Sequence, residues 1–85
     1  MRLKEFTEKQ YMFNEYFNEM KEYQIKKKLA MDFKDYIRVD MCRTEIHRTY
    51  SFCSGYLNAL YNNKFLLKDE YEAIREELFS IYMAK

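Results

Sequence analysis

Proline and tryptophan are missing from this chain of 85 residues, and it has one glycine, Gly55, and one histidine, His47. Each scarcity excludes something. Strands connected by tight turns need Gly and Pro at close intervals, so a chain almost without them reads as a few long helices with short connections. A single glycine cannot build a glycine-rich phosphate loop. With one histidine and two cysteines there is no Cys-x-x-Cys, His-x-x-x-His or Glu-x-x-His spacing, so neither a metal nor a cofactor is expected. The cysteines, Cys42 and Cys53, stand 11 residues apart. On one helix that is ~16 Å, against the ~7 Å Cα separation a disulfide allows. Free thiols, and hence a reducing cytoplasmic compartment, are expected. No apolar run approaches the ~18 residues of a membrane span, and Met-Arg-Leu-Lys-Glu-Phe has no apolar signal core. The net charge of +1 supplies no global attraction for nucleic acid or an anionic membrane.

What the chain does have is bulk. A chain this short buries only ~60–65% of its unfolded surface, so its core must use large side chains, and nine Tyr, seven Phe and six Met meet that need. The expected fold is one all-α domain over residues 1–85, a three-helix bundle with a long central helix, its helices at about 2–28, 33–61 and 69–84. The organising stretch is Thr49–Asn63, uncharged in a protein that is 34% charged. An uncharged helix segment is covered on more than one side.

In the first helix Leu3, Phe6, Phe13, Phe17 and Met20 recur at helical spacing, and Thr7 with Gln10 is placed as a capping box. Glu5, Glu8, Glu15 and Glu19 precede Lys26, Lys27 and Lys28, the order the helix dipole favours. Asp32 is the candidate N-cap of the second helix, with the break near Met31. At 100° per residue the second helix gathers Tyr36, Val39, Cys42, Ile46, Tyr50, Cys53, Leu57, Leu60 and Tyr61 into an arc of ~120°. A second cluster, Ile37, Met41, Phe52, Tyr56 and Ala59, faces away, interleaved with Arg38, Glu45 and Arg48. Either the first helix or a partner covers it. Gly55 inside this helix marks a close approach by a neighbour or a local irregularity. Asn62-Asn63-Lys64 supplies a turn, and Asp69 with Glu72 a capping box for a third helix that packs through Tyr71, Ile74, Leu78 and Ile81 and ends on Lys85.

From Leu57 to Leu78 the chain carries Leu57, Leu60, Leu66, Glu70, Tyr71, Arg75 and Leu78 on the pattern L-x-x-L-x-x-x-G-x-I-T-x-x-E-F-x-x-x-K-x-x-L. This segment resembles the short C-terminal (SHOCT-type) helical hairpin found at the ends of many bacterial proteins. Lys64 stands at the family's turn glycine and Leu67 at its helix cap. The resemblance covers about a quarter of the chain and implies a bacterial or phage origin and a role in oligomerisation or interaction.

Catalysis finds no support. Cys42 and Cys53 lie five and six positions from His47, so neither shares its helix face, and no nucleophile–base pair forms. No catalytic residue is assigned and the protein is not expected to be an enzyme. Residues 21–48 hold eight basic against five acidic residues, but nearly every base has an acidic neighbour at pairing distance and no recognition-helix motif is present. That leaves protein binding. Arg38, Arg43, Arg48, Phe52 and Tyr56 are the candidate partner contacts, because Arg and Tyr are enriched at binding hot spots. Arg43, at the edge of the core arc between Tyr36 and Tyr50, is either an arginine reaching from the core to a carboxylate or an interface anchor. The expected function is a small bacterial or phage regulator or inhibitor that docks on a larger macromolecule. A self-assembling homodimer is the alternative, and a weak nucleic-acid binder comes third.

Overall fold

Phe13, Phe17 and Met20 repeat at intervals of three and four, and Val39, Cys42, Ile46, Thr49, Cys53 and Leu57 do the same. Two such stripes on neighbouring helices can only close on each other. In the computed structural model, which describes residues 1–84, they do so as an antiparallel hairpin with every one of these residues buried. The helices are α1 (Leu3–Lys9), α2 (Tyr11–Asp32), α3 (Tyr36–Asn62) and α4 (Lys68–Met83), with no strand among the described residues. The all-α expectation holds. The helix end expected at Lys85 lies outside the described residues.

The breaks differ from those read in the sequence. The expected helix over 2–28 is two helices, because Gln10 leaves the helical region (φ −115°, ψ 91°) and turns the chain. Its side-chain oxygen accepts a hydrogen bond from the Tyr56 hydroxyl at 2.6 Å, so α3 holds this corner in place. Thr7 and Gln10 form no capping box. The Thr7 hydroxyl donates to the Lys4 carbonyl instead, and Phe6 packs edge-on against Phe13 with centroids 4.8 Å apart. At the other end α2 continues past Met31 to Asp32. The N-cap of α3 is Asp35, whose carboxylate accepts the Arg38 N–H at 3.2 Å. The fourth helix starts at Lys68, not Asp69, and Glu70 reaches back to the Leu67 N–H at 3.1 Å in the place expected of Glu72.

Two turns close with the same hydrogen bonds. Lys34 N–H and Asp35 N–H donate to the Met31 and Ala30 carbonyls, and Lys64 N–H and Phe65 N–H donate to those of Tyr61 and Leu60. This is the Schellman pattern, and it requires a left-handed residue, here Lys34 (φ 55°) and Lys64 (φ 63°). Glycine suits both positions. The chain spends its one glycine elsewhere: Gly55 sits on the exposed side of α3 with nothing within 4 Å of where a Cβ would stand. Neither the close neighbour nor the irregularity expected there is found, as the residue lies within an unbroken helix.

α4 lies along the half of α3 far from the Phe33–Asp35 turn. Its Tyr71 stacks on Tyr61 at 4.3 Å and donates to Asn58, and its Tyr82 stacks on Tyr50 at 3.9 Å and meets His47 Nδ1 at 3.3 Å. Gln24 of α2 donates to the Ile81 carbonyl at 2.8 Å. α1 closes the same end. Glu77 of α4 accepts from the Leu3 N–H at 2.7 Å and from Arg2 Nε at 2.6 Å, so a carboxylate of a distant helix satisfies an orphan N–H at the start of α1.

Two outcomes follow for stability. Lys34→Gly and Lys64→Gly should each stabilise by about 0.5–1 kcal/mol and Gly55→Ala by about 1 kcal/mol, read as raised urea midpoints at unchanged slope. Glu77 is held below the usual carboxylate range, first by the Arg2 hydrogen bond and then by the Leu3 N–H. A depressed folded-state value means the clamp contributes fully above the ordinary glutamate pKa and is lost as pH falls through the lowered one. Protection factors of the amides over residues 3–9, corrected for intrinsic exchange, should therefore fall in acid, and Glu77→Gln should show that loss already at neutral pH.

Candidate interaction surface

A helix with apolar side chains on two sides needs two neighbours. From about His47 to Tyr61 α3 has α2 on one side and α4 on the other. From Tyr36 to Ile46, roughly 16 Å of helix, α2 alone packs against it. A two-helix layer buries a single seam, here Ala30 against Val39 and Cys42, and leaves the remaining apolar side chains in water. Ile25, Leu29, Met31, Phe33, Tyr36, Ile37 and Met41 are all exposed at this end, Phe33 and Ile37 by 82% and 78%. Tyr36, expected in the core arc, is outside it because α4 stops one helical turn or more short of it.

Between α2 and α3 on the side away from α4, three of them, Leu29, Phe33 and Met41, line an open groove of about 730 Å³. They form its apolar walls and Ala30 and Cys42 its floor, with Tyr23, Lys26, Asp35, Arg38 and Glu45 around the rim. The Lys26 ammonium lies 5.1 Å from the Tyr23 ring centroid. Further along the same face a shallower depression is lined by Met12, Tyr16, Asn18 and three carboxylates, Glu15, Glu19 and Glu22. The face thus runs from acidic near α1 to apolar and basic at the turn.

The five residues singled out in the sequence divide between two sides. Arg38 is on the groove rim, 3.8 Å from Asp35. Arg48 ties the two helices together, its guanidinium donating to Glu19 of α2 at 2.7 Å and to Glu45 at 2.9 Å. Phe52 stacks on Tyr16 of α2, centroids 3.7 Å apart, and keeps 37% of its surface exposed. Tyr56 lies against Phe13 and binds Gln10. Within the chain, Phe52 and Tyr56 therefore face α2, with Phe52 left partly in water. Arg43 stands apart: it is exposed and pairs at 3.6 Å with Asp40 of its own helix, not with a carboxylate of the last one. Leu29 and Phe33 were missed by the sequence reading. The signal was available in the spacing, since Leu29 and Phe33 continue the line of Glu22 and Lys26 at intervals of three and four, but both fall at the break expected between the first two helices.

Both cysteines are buried. Cys53 is fully buried with its Sγ 3.9 Å from the Phe13 carbonyl, and burial pushes its thiol up to about 12. Cys42 is buried and unpaired by a disulfide. No group of three His, Cys, Asp or Glu side chains converges among the described residues, and none of the described helices is long and apolar enough to cross a membrane. Compared with protein-family models, with curated proteins and with solved structures, the chain matches none.

The face should separate stability from exposure. Phe33→Ser and Ile37→Ser should shift unfolding free energy by no more than about 0.5 kcal/mol, whereas Phe52→Ala, which strips the Tyr16 stack, should cost about 1–2 kcal/mol. Urea titration followed by circular dichroism checks both.

Proposed function

We propose that this chain is a non-catalytic protein–protein interaction module, and within that class a small bacterial or phage regulator or inhibitor that docks on a larger macromolecule. One observation carries the reading: seven large apolar side chains stand exposed around the turn end of the α2–α3 hairpin, framed by Lys26, Arg38 and other charges. Exposed apolar clusters rimmed by polar residues mark interaction sites, and leaving them in water has no benefit to folding. The groove supports the same reading, being apolar, open and wide enough to take side chains of a partner helix. The architecture behind it is a three-helix bundle in which α1 and α2 act as one bent helix, α3 is the long centre and α4 the third member. Two free buried thiols suit a reducing cytoplasm. Anti-defence proteins of mobile elements have this size and compactness, and such a role fits the proposal by size class.

The test uses affinity capture from the native host with the wild-type chain and a Phe33→Ser, Met41→Ser double variant of matched helicity. A protein retained by the wild type and lost by the variant is the expected result. Identical capture by both would place the binding surface elsewhere.

A further inference from the structure

The open face of the hairpin complements itself, and we propose that its occupant is a second copy of this chain, packed antiparallel about a two-fold axis. The inference rests on the interaction-module reading of that face alone, and a larger macromolecule docking there would compete with the second copy. Along α2 and its C-cap, Met12, Glu15, Glu19, Glu22, Lys26, Leu29 and Phe33 recur at intervals of three and four, so they form one line on one side of the helix. The first half of the line is carboxylates beside Met12. The second half is a lysine followed by two large apolar side chains. On α3 the same face carries Arg38 and Met41 near the turn, Glu45 midway, and Arg48 and Phe52 further on.

A two-fold axis passing near Tyr23 and Glu45 reverses one copy. Lys26 and Glu19 lie on either side of that axis at equal rise, roughly 5 Å each, so the rotation brings Lys26 of one copy over Glu19 and Glu22 of the other. The same operation sets Phe33 against Met12, Met41 beside Phe52, and Arg38 within reach of Glu15. A two-fold interface is isologous, so every one of these pairings occurs twice. An acidic partner protein would engage the basic end alone and leave the carboxylate half of the face unused. The second copy uses both.

The area suits a reversible dimer. From Met12 to Phe33 the face is about 31 Å long, and the molecule is 17 Å across. That gives a flat footprint of roughly 500 Å² per copy before corrugation, matching the ~1,000 Å² total that a weak specific interface needs. Ile25 and Tyr36 point off this face at helical spacing and stay outside the dimer.

Sedimentation of the full chain from low-micromolar to near-millimolar concentration tests the proposal, with two charge-reversed variants at exposed positions, Lys26→Glu with Arg38→Glu and Glu15→Lys with Glu22→Lys. The wild type should dimerise reversibly, each variant alone should associate at least tenfold more weakly at unchanged helicity, and an equimolar mixture of the two should recover a 1:1 dimer. Met41→Glu gives a check that leaves every ion pair in place and should also abolish association. A wild type monomeric throughout, or folded variants that dimerise alone or fail to recover on mixing, overturns the proposal. If the wild type is monomeric while capture through Phe33 and Met41 succeeds, the dimer falls and the interaction module stands.

Discussion

A helix of 27 residues is about 40 Å long, and a neighbour of 16 residues covers about 24 Å of it. The structure follows from that mismatch between α3 and α4. Where both neighbours are present, α3 buries Cys53 and Leu57 completely and hides much of Tyr50, Leu60 and Tyr61. Where α4 has ended, the same helix leaves Tyr36 in water. The stretch without charges, Thr49–Asn63, coincides with the doubly covered half, which is why it can dispense with charge. The mixed segment before it carries arginines and aspartates on its exposed sides.

The covered half is secured by polar contacts between distant parts of the chain. Glu77 holds the start of α1, Tyr56 holds the corner at Gln10, and Gln24 binds the last turn of α4. The first two act at the end where α1, α2, α3 and α4 meet, and Gln24 acts where α4 ends. The turn end has only its local hydrogen bonds, the Asp35 cap and the Schellman closure at Lys34. Its apolar side chains therefore contribute little to folding and are free to serve association.

Helical class, the inward arc of α3 from Val39 to Leu57, and the free thiols were legible in the sequence, because periodicity and spacing encode them directly. Helix ends were not. The break at Gln10 depends on a tyrosine hydroxyl 46 positions away, and no glycine or proline announces it. Asp32 and Asp35 are both plausible caps, and only the left-handed conformation of Lys34 selects the second. Gly55 misled for the same reason, since glycine at a helix surface signals nothing about its neighbours. Of the candidate contacts, Arg38, Arg48, Phe52 and Tyr56 lie on the hairpin side away from α4, but Arg43 does not; Met41 was legible from its spacing, whereas Leu29 and Phe33 fell at the misplaced break between helices.

Hydrogen exchange along α3 in dilute monomeric solution is the most direct test of unequal coverage. Amides from about 49 to 60 should be protected to near the global unfolding free energy, and those from about 38 to 44 should exchange at least tenfold faster through local opening of the two-helix layer. Equal protection along the whole of α3, or stronger protection at the turn end, would contradict the account.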